Sequence, residues 1–265
     1  DTCGAPLGML VIDGEWVRHP TRNRCVLGIT EEGKAVMGRQ RFVGHVQIEG
    51  AGRFELGGVN ASHWTTDRAM LYTRRWGAPL KGGTDTRVAI SASRKVAAVV
   101  VGGKAVPMPT GGYIVSARGA LGKSLASAKP GAPVSISLGA SPAWPALRHA
   151  IGAGPQLLAG GVRQVTADEE LFRPDVRRAC SRTAVGLDAD GNVMVVVAEA
   201  RGARGFYLQE LAGAMQKLGC RDAMALDGGG STTACFRGKV INHPADGAER
   251  PVSNALLVFG VPSAA

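Results

Sequence analysis

A chain of 265 residues with 45% hydrophobic and 20% charged residues has enough apolar side chain to bury a substantial core, which excludes a mainly disordered protein. Its formal charge of +10 bears on partners, not on fold. The arginines are scattered, with no basic helix, zinc-finger spacing or aromatic RNA-binding motif, which argues against nucleic acid; the apolar runs are too short to be a transmembrane segment.

Gly at 38 and aromatics at 5% predict many tight turns and few large anchors, the composition of a turn-rich β architecture. Leu10–Ile12 is followed by Asp13-Gly14, and Val26–Ile29 by Glu32-Gly33, both read as hairpins. Phe42–Ile48 nearly alternates in polarity. Further strands are expected at Ala69–Thr73, Thr86–Ile90 and Val96–Val101. Gly102–Gly131, with Pro107, Pro109, Gly111, Gly112 and Pro130, reads as a loop-rich flap or connector. Val134–Leu138 is a strand, and Pro145–Ala150 a short helix with Pro at its first position.

In the C-terminal half, Val193–Ala198 is a strand. Leu208, Leu211, Ala212, Met215 and Leu218 then fall on one face of a helix ended by Gly219. Ala223–Leu226, Lys239–Asn242 and Ala255–Phe259 complete the expected strands. The class is α+β: a strand-rich single domain over 1–265, with a dominant mixed sheet and a few helices. Cys3, Cys25, Cys180, Cys220 and Cys235 show no metal-ligand spacing. They fit either two disulfides with one thiol left over or free buried thiols.

The chemistry concentrates in one run. The strand ending at Leu226 passes into Asp227, Gly228, Gly229, Gly230, Ser231, Thr232 and Thr233. Successive glycines can turn backbone N–H groups toward one point and form an anion-binding nest. The hydroxyls add donors and Asp227 supplies a carboxylate; the alternative is a tight turn with Asp as its cap. Asn242–Asn254 packs His243, Asp246, Glu249, Arg250 and Asn254 between apolar segments, and Arg182 and Arg201 flank apolar strands. A divalent metal near Asp227 and Asp246 is allowed, but no ligand spacing demands one. There is no Walker, HExxH or GxSxG motif. His63 near Asn60 is a candidate acid–base group or a structural histidine.

Four stretches, Arg182–Gly186, Arg201-Gly202, Leu226–Thr233 and Glu249–Leu256, resemble the phosphodiester glycosidase family in order and spacing. Weaker similarity runs through Gly152–Leu158 and Gly58–Asn60. Two departures stand out: Glu199-Ala200-Arg201 replaces the family's usual Asp-Gly-Arg, and the Asn-Gly-Gly-Phe-Phe-like motif near the family's start is not found. The resemblance therefore implies a domain lacking its N-terminal part, with an upstream fragment of the same precursor as a candidate partner. It also implies a periplasmic or secreted hydrolase that cuts a sugar-1-phosphodiester of an envelope or exopolysaccharide glycan, with no cofactor required.

By that resemblance Asp227 is nucleophile or general base, with Glu249 or Asp246 as second carboxyl. Arg182, Arg201 and Arg250 clamp phosphate, since guanidinium binds it in a bidentate way. Gly228, Gly229, Gly230, Ser231 and Thr232 cradle the same oxygens, while Asn60 and Asn254 orient sugar hydroxyls. Two alternatives use the same residues: a non-catalytic envelope module that binds anionic glycans, and a phosphodiesterase attacking phosphorus.

Overall fold

The computed structural model describes residues 5–62, 67–77, 79–80, 83–200, 202 and 204–260. Three sheets organise them. The first runs, edge to edge, Glu15–Arg18, Leu10–Ile12, Leu147–Gly152, Cys25–Thr30 and Ala35–Arg39, all antiparallel. Its opening hairpin turns on Asp13 and Gly14 with φ of 50° and 74°, the left-handed pair that a two-residue hairpin requires. The expected helix at Pro145–Ala150 is not there. Leu147–Gly152 is instead a strand paired on both sides. Six residues hold too few helical bonds to stand alone, whereas two neighbouring strands bond its main chain on both edges.

The second sheet has seven strands in the order Val134–Ser141, Arg41–Ile48, Gly52–Val59, Ala69–Tyr72, Tyr113–Ala117, Thr86–Ile90 and Val96–Val101. Gly52–Val59 and Ala69–Tyr72 pair in parallel and the remaining pairs are antiparallel, so the sheet is mixed. It curls until its outer strands meet: Val96 N donates to Ala132 O at 2.9 Å and Val134 N to Arg94 O at 2.8 Å. Val46, Ile48, Phe54, Leu56 and Val115 fill the interior with Leu125 of helix α1 (Gly119–Leu125). The region read as loop, Gly102–Gly131, therefore holds a central strand and a helix. Gly112 admits the strand because a Cβ there would lie 2.1 Å from Ile90 O.

The third sheet runs Val162–Arg163, Gln156–Ala159, Asp222–Ala225, Arg182–Leu187 and Val193–Ala198. Helix α2 (Leu208–Lys217) covers one face with Leu208, Leu211, Ala212 and Met215, as its spacing predicts. Glu210 accepts from Tyr207 N at 2.9 Å at its start, and Gly219, at φ 89°, follows its end. The other face, Val185, Leu187 and Met224, packs on Cys25 and Leu27 of the first sheet. Buried Glu170 ties these two sheets together: its carboxylate accepts from Cys25 N at 3.0 Å, Gln156 N at 2.7 Å and Thr166 Oγ1 at 2.5 Å.

Ala255–Phe259 is not a strand; Leu257 and Phe259 are exposed and Leu256 alone in this run packs against the core. A short apolar run becomes a strand only when an edge is there to pair with it. The Lys239–Asn242 strand shrinks to Lys239–Val240, in a hairpin with Cys235–Phe236. Cys25, Cys180, Cys220 and Cys235 are free thiols, so no disulfide joins any two of these four; Cys3 lies outside the described residues.

Candidate active site

Three adjacent strands of the third sheet end side by side. Arg182, first residue of one strand, pairs with Ala198, the last of its neighbour, and Ala184 pairs with Ala225, the last of the strand on the other side. Asp227 and Glu199 therefore leave the same end of the sheet on either side of Arg182. Two interstrand spacings put their backbones about 10 Å apart.

The glycine turn crosses this end. Gly228 N donates to Asp227 Oδ1 at 3.0 Å, Gly229 N to Ser181 O at 2.8 Å, Ser231 N to Gly228 O at 3.2 Å and Thr232 N to Gly229 O at 3.1 Å. Those four amides are spent within the turn or on Ser181, so an anion would have to displace them to use them. Gly228 and Gly230 serve close approach instead. A Cβ on Gly230 would lie 2.1 Å from Asp246 Oδ2 and 2.3 Å from Arg250 Nη2, and one on Gly228 would lie 2.9 Å from Ser181 O. Gly230 is thus the seat of an ion pair: Arg250 Nε and Nη2 donate to Asp246 Oδ2 at 2.9 and 2.6 Å. Both side chains are about half exposed, and three of the five guanidinium N–H groups remain for a ligand.

The loop that supplies this pair is clasped to the turn. Asn242 accepts from Ala234 N at 2.7 Å and donates to Thr232 O at 2.9 Å. Next to it, His243 meets Glu199: His243 N donates to Oε1 at 3.0 Å, and Nδ1 lies 3.2 Å from Oε2. Ser181 joins the halves, accepting Gly229 N on its carbonyl and Ala200 N at 3.0 Å on its hydroxyl.

Arg182 is buried beneath the turn. It donates through Nε to Phe206 O at 3.1 Å and through Nη2 to Val176 O at 2.8 Å and Arg178 O at 2.5 Å. Burial lowers its pKa, with nearby Cys180 and Asp227 opposing that shift. Its guanidinium is therefore committed to holding three carbonyls around the site. Asp227 is exposed, Ser231 half-buried, and buried Thr232 accepts from Thr183 at 3.4 Å.

Other expected residues stand apart. Glu249 is exposed and makes no hydrogen bond or ion pair among the described residues; Asn254 donates to neighbouring Ser253 at 3.2 Å. Asn60 is buried in a different cluster. It donates to Val17 O and Thr73 Oγ1, both at 3.0 Å, and accepts Thr73 N at 2.9 Å. Arg201 and His63 lie outside the described residues.

Sequence reasoning did not assign roles to Ser181, Asn242 or His243. Their signal is positional: each is adjacent to, or inside, a stretch already singled out. Among the described residues no three His, Cys, Asp or Glu side chains gather as a metal site. A cleft of about 430 Å³ lined by Asp13, Glu15, Thr73, Arg74, Arg75 and Tyr113 is built from other segments. There burial raises the Glu15 pKa, but bonds from Arg74 and Arg75 outweigh it and hold the carboxyl below its ordinary value. No described helix is long and apolar enough to cross a membrane.

Comparison with known proteins gives these residues a context. A hypothetical protein from Synechocystis has the same fold, with a TM-score of 0.77 and 25% identity over 92% of this chain and 46% of its own. A Burkholderia pseudomallei protein, described as a candidate exported protein, has a TM-score of 0.74 and 23% identity over 94% of this chain and 60% of its own. The uncharacterized SPbeta prophage-derived protein YomE of Bacillus subtilis (strain 168) is 34% identical over 79 residues, 29% of this chain and 12% of its own. The chain thus spans about half the length of these structural neighbours and a small part of the curated relative. The profile of the phosphodiester glycosidase family matches residues 84–259, well over half of the chain and the whole glycine-turn site. The chain belongs to the phosphodiester glycosidase family.

Proposed function

We propose that this chain is a hydrolase that cleaves the bond between the anomeric carbon of a sugar and a phosphodiester, in a periplasmic or secreted setting. The observation that carries the reading is the meeting of Asp227, the Asp246–Arg250 pair and buried Arg182 around one glycine turn. A phosphomonoester is a good leaving group, so this cleavage depends less on a strong general acid than ordinary glycoside hydrolysis does. It needs a cation for the departing phosphate and a carboxylate beside the oxocarbenium-like carbon. Arg250 is suited to the first task through its unused donors. Exposed Asp227 is suited to the second, as nucleophile or base.

Arg182 acts from below by holding the main chain at Val176, Arg178 and Phe206, which flanks the turn. The charge of +10 favours an anionic substrate, in keeping with an envelope or exopolysaccharide glycan. The description of the Burkholderia neighbour as a candidate exported protein fits that setting. The chemistry calls on no cofactor.

The test is sugar release from an N-acetylglucosamine-1-phosphodiester in oxygen-18 water, with Asp227→Asn as control. The expected outcome is label in the sugar and a loss of about a thousandfold or more in the variant. Label in phosphate would mean attack at phosphorus and would overturn the glycosidase reading. Binding without turnover, across several sugars, would favour the glycan-binding module.

A further inference from the structure

The Glu199–His243 contact has a geometry that a surface ion pair does not need. Both oxygens of Glu199 are engaged by one residue, Oε1 by the main-chain N of His243 and Oε2 by its ring Nδ1. An ionised carboxylate only accepts, so in the neutral ring a bond at Nδ1 puts the proton there and leaves the Nε2 lone pair free. The same arrangement orients the imidazole of a hydrolytic triad. The Glu199 side chain is 26% exposed and that of His243 65%, so the anchor is sheltered while the ring reaches solvent.

The position fits the site. Asn242, one residue before His243, is bonded to Thr232 and Ala234, and Asp246, three residues after it, lies against Gly230. His243 is therefore carried on a loop that is fixed to the turn segment on both sides of it. The chain from Asp227 to Gly230 spans at most about 10 Å, comparable to a sugar phosphate.

We infer that His243 is the proton-transfer group of this site and Glu199 the residue that positions it, an assignment that rests on the glycosidase reading above. In the step, the oxygen of a water forms a bond to the anomeric carbon while its proton passes to His243 Nε2, so that His243 takes the place of Asp227 as base and Asp227 acts through its charge beside that carbon. The bond from that carbon to the phosphate oxygen breaks, and its electron pair leaves on the phosphomonoester. The imidazolium then returns its proton to solvent. The other ionisable groups of the site are Asp246 and Arg250 on the same loop, and Asp227, Arg182 and Cys180 across the turn.

The proposal is tested by sugar-release kinetics of His243→Ala and Glu199→Gln beside wild type. His243→Ala is expected to lower kcat about a hundredfold with little change in KM, and free imidazole is expected to restore part of the rate. Glu199→Gln should lose less and gain nothing from imidazole. In parallel, long-range proton–nitrogen NMR of the wild-type ring should find the neutral form protonated at Nδ1. An unchanged kcat in His243→Ala, or a neutral ring protonated at Nε2, overturns the dyad while leaving the glycosidase reading in place. Failure of wild type to release any sugar overturns that reading, and the dyad's role with it.

Discussion

In the curled second sheet, Asp85 and Arg87 are buried together, with Arg87 Nε and Nη2 donating to the Asp85 carboxylate at 2.7 and 3.0 Å and Ser116 adding a hydroxyl. At the end of the third sheet, Asp227, His243, Asp246 and Arg250 face solvent with much of their bonding capacity unspent. The residue types are similar, and the difference lies in saturation. A buried charge whose bonds are filled by the protein holds the fold, because removing its partner strands a charge in an apolar interior. An exposed charge seated by close backbone contact costs little to keep and has donors and acceptors left for a ligand.

Three substitutions press on that division. Arg87→Met leaves Asp85 buried without its cation and is expected to destabilise the protein by about 4 kcal/mol, read from urea unfolding, with kcat per folded molecule unchanged. A fall in kcat without a fall in stability would break the contrast.

His19 gives a pH-dependent version. Its ring packs against Gly58 and accepts from Val59 N at 3.0 Å. Burial, with Arg18 adding repulsion, lowers its pKa from 6.5 to about 4. The folded state therefore keeps the ring neutral while the unfolded chain takes up a proton. The stabilisation is whole above pH 6.5 and is lost as pH falls toward 4, by roughly 3 kcal/mol. In His19→Gln that component of the slope of unfolding free energy against pH should vanish; a slope identical to wild type would mean that other groups carry it.

The smallest effect sharpens the contrast most. Asn60→Ala removes an amide bonded to Val17 and Thr73. It should cost about 2 kcal/mol while KM for the sugar phosphodiester stays within twofold. A large rise in KM with stability intact would return Asn60 to the substrate.

These cases mark where sequence was a sufficient guide. Helix α2 was legible because Leu208, Leu211, Ala212 and Met215 repeat on one face and Gly219 marks its end, both local properties, although Leu218 is exposed at the cap. The turn after Asp227 was legible because consecutive glycines between an acid and hydroxyls are a rare local pattern, whereas the close approach of Gly230 to Asp246 and Arg250 was not, since those partners lie on another loop. Leu147–Gly152 was not, since its strand conformation comes from Leu10–Ile12 and Cys25–Thr30, more than a hundred residues away in the chain. The use of Arg182 was hidden for a related reason: its carbonyl partners belong to Val176, Arg178 and Phe206, and no pattern around Arg182 announces them. Glu170 looks like any surface acid until two sheets close around it.

The split first sheet has a further meaning for how the chain is made. Its strands come from residues 10–39 and 147–152, and the whole second sheet, residues 41–141, is spliced between them. During synthesis from the N-terminus, the curled sheet has all its strands before the central strand of the first sheet leaves the ribosome. Cys25–Thr30 must wait with one edge unpaired until Leu147–Gly152 arrives. Arg39 pairs with Cys25 and Leu147 with Thr30, so the spliced unit leaves the sheet at one end of Cys25–Thr30 and returns at the other, and a linker replacing it would have to run the length of that strand.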